Sequence, residues 1–317
     1  LLLQLEVYGA DGSCTRICSD ESWQWSNDGP VRFADNKDGE IVEASRTPSY
    51  GGRAKLAKCK VVPVSSDNVP LTEHERFSSP GLIVTPEGKK VLDFGQNIAG
   101  YVQFTLRAAA GRKLKLRFGE LLDDRGEFTQ KNIQCANKKR TRVTPLQQIL
   151  YTCREGVNEY KTKFAIFGFR YVLVEGDADW KAEDFTAIAV YSDMEQTLSF
   201  SCSHPLIAQF VKNTLWSAKN NHADVPTDCP TRERHGWTGD AQIFVNTATY
   251  LFGYGAFARK YIADMRDGQH RNGCYRQISP KGGVDFYMNN MDDSAGWSDA
   301  GVLLPYRLWT QYGDDRI

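Results

Sequence analysis

The apolar residues of this chain change their spacing near residue 200, and that change limits the folds open to it. Before it, short strand-like segments are separated by Gly and Asp turns. Leu114, Leu116 and Phe118 alternate with Lys113, Lys115 and Arg117, the period-two pattern of a strand buried on one face. Leu3 to Tyr8, Val91 to Phe94 (stopped by Gly95), Tyr101 to Arg107, Tyr151, Tyr160 to Phe164 and Gly168 to Val174 read as further strands. Phe169 and Tyr171 are expected in the core, and Trp23 and Trp25 in strand or edge packing. Nothing has a βαβ rhythm, so a sandwich is expected and a dinucleotide-binding sheet is not. Arg46 to Pro80, richer in Pro, Gly and Ser, reads as a long surface connection.

After residue 200 the spacing is helical. Ser203 and Pro205 suit a helix start, and Leu206, Ile207, Phe210, Val211, Leu215 and Trp216 follow near one face. A second helix is expected from Asp240, whose carboxylate would cap it, and a third over Ala256 to Met265. A fourth should run from Asp299 to Tyr312 and stop at Gly313. Four helices joined by long polar loops resemble the opening of a larger helical domain.

A length of 317 residues fits about two domains of ~150 residues each. Thirty-nine basic side chains balance thirty-nine acidic ones, which gives no global attraction to nucleic acid or to anionic lipid. No apolar run is long enough to span a bilayer. Lys138, Lys139, Arg140 and Arg142 form a local basic run, read as a solvated face. The eight cysteines are too sparse to staple a chain this long, and Cys14 and Cys18 are read as separate core residues. Five scattered histidines offer no metal cluster, and His222 and His235 are assigned structural or solvent-exposed roles. No cofactor is implied. No signal peptide is visible, and Leu1 to Leu5 reads as a strand already under way, so secreted, periplasmic and cytoplasmic settings all stay open.

The chemistry is concentrated between Asp228 and Asp240, in Asp-Cys-Pro-Thr-Arg-Glu-Arg-His-Gly-Trp-Thr-Gly-Asp. Pro226 and Pro230 stiffen the loop. Glycosidic cleavage needs one carboxyl to protonate the leaving oxygen and another to activate water or to attack the anomeric carbon. Glu233 is the candidate acid, and Asp228 and Asp240 are candidates to hold sugar hydroxyls. Close carboxylates resist joint ionisation, which suits a proton donor, whereas Arg232 and Arg234 oppose that effect. Trp237 offers a flat face for a pyranose ring. The plain alternative is core packing for Trp237, surface ion pairs for Arg232, Glu233 and Arg234, and capping for Asp240. Asp292, Asp293, Trp297 and Asp299 form a second aromatic and acidic stretch that could line the same cavity, or end in a helix cap at Asp299.

The ordered motifs resemble the inverting α-L-rhamnosidases of glycoside hydrolase family 78. Asp11-Gly12, Thr15, Ser19-Asp20, Trp23, Gly29-Pro30 and Gly39-Glu40 resemble the end of that family's N-terminal β-sandwich. Asp93 to Asn97, Gly100, Gly119-Glu120 and Gly168 to Tyr171 resemble its next β-domain, and Trp297, Asp299 and Gly313-Asp314 the start of its helical barrel. The loop from Asp228 to Asp240 resembles its most distinctive motif. The resemblance implies a multidomain β + α protein: jelly-roll-like β-sandwich domains, then the first part of an (α/α)6 barrel. The implied boundaries are 1–50 for the end of one sandwich, 51–80 for a connection, 81–198 for a second sandwich and 199–317 for the barrel segment. It also implies hydrolysis of terminal α-L-rhamnose from rhamnosides or rhamnose-containing glycans, with inversion. Glu233 would be the general acid. Asp228, Arg232, Trp237, Asp240 and Trp297 would bind substrate or support the carboxylates. The family's general base is expected beyond residue 317, so the chain is expected to be a fragment, inactive alone and prone to self-association. A non-catalytic rhamnose- or glycan-binding protein is the alternative.

Overall fold

The computed structural model describes residues 3–58, 69–134, 143–281 and 294–315. Its dominant element is one curled antiparallel-rich sheet of ten strands among the described residues. Eight follow one another through hydrogen bonds: Val31–Asp35, Gly39–Glu43, Gln148–Thr152, Lys113–Gly119, Phe167–Gly176, Lys90–Ala108, Phe185–Ser192 and Leu71–Ser78. The 19-residue Lys90–Ala108 strand is the axis. Its first half pairs with Phe167–Gly176 and Gly81–Val84, and its second half with Phe185–Ser192 and Gly156–Tyr160. The bulge between Phe169 and Tyr171 bends the pairing. The chain continues through Gly95, which takes φ 75° without ending the strand, contrary to the expected stop.

Curling brings inward-facing side chains into one core. Leu92, Ile98, Phe104, Leu116, Phe118, Phe167, Phe169 and Phe185 are all fully buried. The Phe118 and Phe167 rings stack at 4.4 Å, and Phe169 meets Phe118 edge-on at 5.0 Å. Each such ring stabilises the fold by roughly 2–3 kcal/mol relative to exposure. The expected alternation holds over Lys113–Gly119, with Leu114, Leu116 and Phe118 buried.

Four α-helices follow among the described residues: α1 (Pro205–Asn220), α2 (Thr238–Leu251), α3 (Gly255–Asp267) and α4 (Ala300–Tyr312). Pro205 occupies the first turn of α1, where its missing N–H costs nothing. Gly313 ends α4 in the left-handed conformation at φ 67°. A second core joins Val245, Ala248, Phe257, Tyr261, Met265 and Leu304. The end of α1 docks on the sheet through side chains. Asn220 accepts from the Ala99 N–H at 2.8 Å and donates to the Asn97 carbonyl at 3.1 Å, and Lys219 pairs with Glu75 at 2.6 Å.

Several expectations change. Leu71–Ser78, inside the stretch read as an irregular connection, is an edge strand. It is mostly polar, with Phe77 packed on the core and Leu71 exposed, so it lacks apolar alternation. Tyr160 ends its strand, and the chain then turns so that Phe164 is 71% exposed. The buried Glu40 carboxylate catches that turn, accepting the N–H groups of Lys163 at 2.9 Å, Phe164 at 2.7 Å and Ala165 at 3.2 Å. Cys14 and Cys18 are exposed rather than in a core. They stand four residues apart on one strand, roughly 13 Å, too far to bridge. Phe169 is buried as expected, but Tyr171 is only half-buried, with Arg170 over its ring. Leu206, Ile207 and Phe210 are exposed on α1, as are Ile243 on α2 and Trp309 on α4. Among the described residues no helix is long and apolar enough to cross a membrane. Lys138, Lys139, Arg140, Arg142, Asp292 and Asp293 lie outside the described residues.

Candidate active site

The Asp228–Asp240 loop is closed at its neck by a reciprocal pair. The Asp228 N–H donates to the His235 carbonyl at 3.1 Å, and Asp228 Oδ1 accepts from the His235 N–H at 3.0 Å. The aspartate therefore holds the loop shut with one oxygen. Within the loop the Glu233 N–H donates to Cys229 Sγ at 3.3 Å, which orients the backbone that carries the candidate acid.

The Glu233 carboxylate is held at both oxygens. Oε1 accepts from Arg232 Nη2 at 3.0 Å, and Oε2 accepts from Trp237 Nε1 at 2.9 Å. Its side chain is 28% exposed, so a ligand can reach it. Trp237 immediately precedes α2 and is half-buried. The Trp297 ring lies edge-on to it at 6.5 Å and is 37% exposed. Gly239 gives Trp297 its seat: a Cβ there would stand 2.8 Å from the indole nitrogen. The Trp297 loop is tied down by Gln242, which donates to the Gly296 carbonyl, and by Ser298, which donates to the Tyr275 carbonyl at 2.7 Å. The two indoles and Glu233 thus form one corner.

Asp240 sits in the first turn of α2, but it does not cap that helix as expected. The helix starts at Thr238, two residues earlier, and position 237 makes no side-chain cap. Partial burial pushes the Asp240 pKa up, and the negative Asp228 and Glu233 push it the same way. Asp240 is therefore the carboxyl that feels both of its acidic neighbours. Asp299 is the residue before α4, and its carboxylate accepts from the Gly296 N–H at 2.9 Å rather than from the helix end.

The two arginines beside Glu233 point in different directions. Arg232 is exposed and reaches the carboxylate. Arg234, expected to act on Glu233 as well, turns away into the sheet at φ 56°. Burial pulls its pKa down to about 10. Its contacts were not legible in the sequence, because an irregular loop has no period from which to read side-chain direction.

The floor of the loop is fixed by backbone approach. Tyr261, fully buried on α3, donates to the Gly236 carbonyl at 2.9 Å, and the Ser279 N–H donates to the same oxygen at 2.9 Å. Thr238 donates its hydroxyl to the Gln277 carbonyl at 3.0 Å. His222, completely buried against Phe244, Tyr254 and Phe257, is structural. Its Nδ1–H donates to the Ala218 carbonyl at 2.6 Å, which leaves Nε2 to accept from the Tyr254 hydroxyl at 3.2 Å. Burial holds its pKa down at about 4. Among the described residues no three His, Cys, Asp or Glu side chains gather as a metal cage.

Residues 83–191 match the bacterial α-L-rhamnosidase concanavalin-like domain, and residues 195–317 the bacterial α-L-rhamnosidase six-hairpin glycosidase domain. The α-L-rhamnosidase of Streptomyces avermitilis is 32% identical across the whole chain. The chain is a homologue of the α-L-rhamnosidases. The crystal structure of the S. avermitilis rhamnosidase complexed with L-rhamnose superposes with a TM-score of 0.86 at 30% identity, over 99% of this chain and 30% of that one. The native rhamnosidase of Aspergillus terreus gives 0.85 at 31% identity, over 99% and 36%. The chain spans 31–35% of the length of the first three curated rhamnosidases it matches. The loop with Glu233, Trp237 and Asp240 lies within the glycosidase-domain match, and Arg234 joins it to the segments around Ile166 and Gln147 in the concanavalin-like match.

Proposed function

We propose that Glu233 is the general acid of an α-L-rhamnosidase of glycoside hydrolase family 78, and that α1 to α4 are the first helices of an (α/α)6 barrel. The observation that carries this reading is the Glu233 carboxylate: gripped at both oxygens by Arg232 and Trp237, yet open to a ligand beside two indoles and Asp240.

In the proposed reaction a terminal α-L-rhamnosyl group docks with its ring against Trp237 and Trp297. Asp240 and Asp228 accept from its hydroxyls. Glu233 gives its proton to the glycosidic oxygen as the bond to the anomeric carbon breaks, and the bonding pair leaves with that oxygen. Water adds to the anomeric carbon from the opposite face and loses its proton to a general base, which inverts the configuration. We assign no base among the described residues. An inverting pair of carboxyls stands roughly 6.5–9.5 Å apart to admit that water. The 6-methyl group of rhamnose is apolar, so an aromatic wall favours it by about 1–3 kcal/mol over a sugar with a polar C6.

Proton NMR of a rhamnoside digest tests this. The first product should be β-L-rhamnose, appearing before mutarotation. The α-anomer appearing first would remove inversion, and a rhamnoside left untouched by the whole protein, general base included, would remove the enzymatic reading.

A further inference from the structure

We propose that Arg234 is a positioning residue for Glu233, a brace through which the β-sheet sets the place of the proton donor. The proposal deepens the acid assignment above and rests on it. Arg234 belongs to the loop, but its guanidinium is committed elsewhere. Nη1 donates to the Ile166 carbonyl at 2.7 Å, to the Asn36 side-chain oxygen at 3.3 Å and to the Asn36 carbonyl. Nη2 donates to Gln147 Oε1 at 2.5 Å, and Nε returns to the Thr231 carbonyl of its own loop at 3.0 Å. Three sequence-distant segments of the β region thus meet at the residue next to Glu233. All these acceptors are neutral oxygens, so what the geometry supplies is direction rather than charge neutralisation.

The receiving side is equally fixed. Gln147 is fully buried and, like Arg234, takes a left-handed backbone, at φ 41°. Its amide donates to the Phe118 and Gly168 carbonyls, each at 3.2 Å. Ile166 follows the turn held by the buried Glu40 carboxylate. Non-glycine residues in this conformation persist only where their surroundings over-determine them, and such residues cluster at functional sites.

Apolar contact and polar bridges together seat the loop on the sheet, and a Cβ at Gly168 would stand 2.5 Å from Thr231 Cγ2. A cavity of about 350 Å³ lies between the loop and the sheet, lined among others by Phe164, Ile166, Cys229, Pro230 and Arg234. The guanidinium bridges the loop and the sheet beside this cavity. A donor displaced by about 1 Å can lose roughly 10²-fold in rate, so a brace one residue from the acid bears directly on proton transfer.

Leaving-group dependence separates positioning from general stability. A general acid matters most when the departing oxygen is basic, so methyl α-L-rhamnoside needs it and 2,4-dinitrophenyl α-L-rhamnoside hardly does. In Arg234→Met, kcat on the methyl rhamnoside should fall about 10²-fold, and kcat on the dinitrophenyl rhamnoside less than about fivefold, with KM within about twofold for both. Arg234→Lys should recover part of the loss. An equal fall on both substrates would overturn the proposal. If Arg234→Met does not fold, Gln147→Met removes the Nη2 acceptor from the other side and should give the same split. Hydrogen exchange supplies an arm that needs no turnover: amides 229–237 should exchange about tenfold faster in the variant while α3 is unchanged. Unchanged loop exchange would overturn the brace. If the whole wild-type protein, general base included, cleaves neither rhamnoside, the acid assignment falls, and exchange alone decides the role of Arg234.

Discussion

The two faces of the Asp228–Asp240 loop are built by opposite rules. The front presents Glu233, half-exposed and held by only two side-chain donors. The back presents Arg234, Thr231, Gly236 and Thr238 to close-packed backbone, with Gly168 so near that a Cβ there would stand 2.5 Å from Thr231 Cγ2. The difference teaches where accuracy resides. A carboxyl that must meet a substrate cannot be buried in contacts of its own, so its placement is inherited from neighbours that are.

Changes at the back should therefore cost stability, and changes at the front should not. The largest effect is expected for Gly236→Ala. Its new Cβ would lie 2.0 Å from the Ser279 carbonyl oxygen, a backbone atom that cannot step aside without breaking the Ser279–Gly236 hydrogen bond. Urea unfolding should show a loss of about 3 kcal/mol or more. An unchanged midpoint would mean the floor of the loop is plastic.

Next comes a pH effect deep beneath the loop. His222 is held neutral in the fold at a pKa of about 4, against an ordinary value of 6.5. Between those values the unfolded chain takes up a proton that the folded chain refuses, so stability falls as the medium is acidified from pH 6.5 toward 4. The full contribution is about 3 kcal/mol. His222→Gln should flatten that part of the stability profile, whatever it does to stability at neutral pH. A variant with the same acid slope as wild type would contradict the buried neutral ring.

The smallest effect belongs to the front. Arg232→Ala removes an ion pair whose partners are 47% and 28% exposed, and thermal unfolding should register no more than about 0–1 kcal/mol. A larger loss would show that the front face is structural after all.

Much of the frame was legible because it obeys a period. Leu114, Leu116 and Phe118 alternate, α3 and α4 fall within a residue of their expected starts, and Gly313 stops α4. The carboxylate and indole content of the loop was legible from composition, and the structure does bring Glu233, Trp237, Asp240 and Trp297 together. What escaped depends on partners far along the chain. Nothing near Tyr160 announces that Glu40 will catch the following turn, and nothing in Arg232-Glu233-Arg234 says that one arginine faces the acid and the other the sheet. Leu71–Ser78 escaped because a mostly polar edge strand, with only Phe77 packed on the core, shows no apolar alternation.

The central claim is that Glu233 supplies the proton, and turnover of methyl α-L-rhamnoside by Glu233→Gln tests it most directly. The glutamine keeps the shape and can still accept from Trp237, but it has no acidic proton to give. The account predicts that kcat falls by about 10²-fold or more; a rate equal to that of the wild-type protein would contradict it.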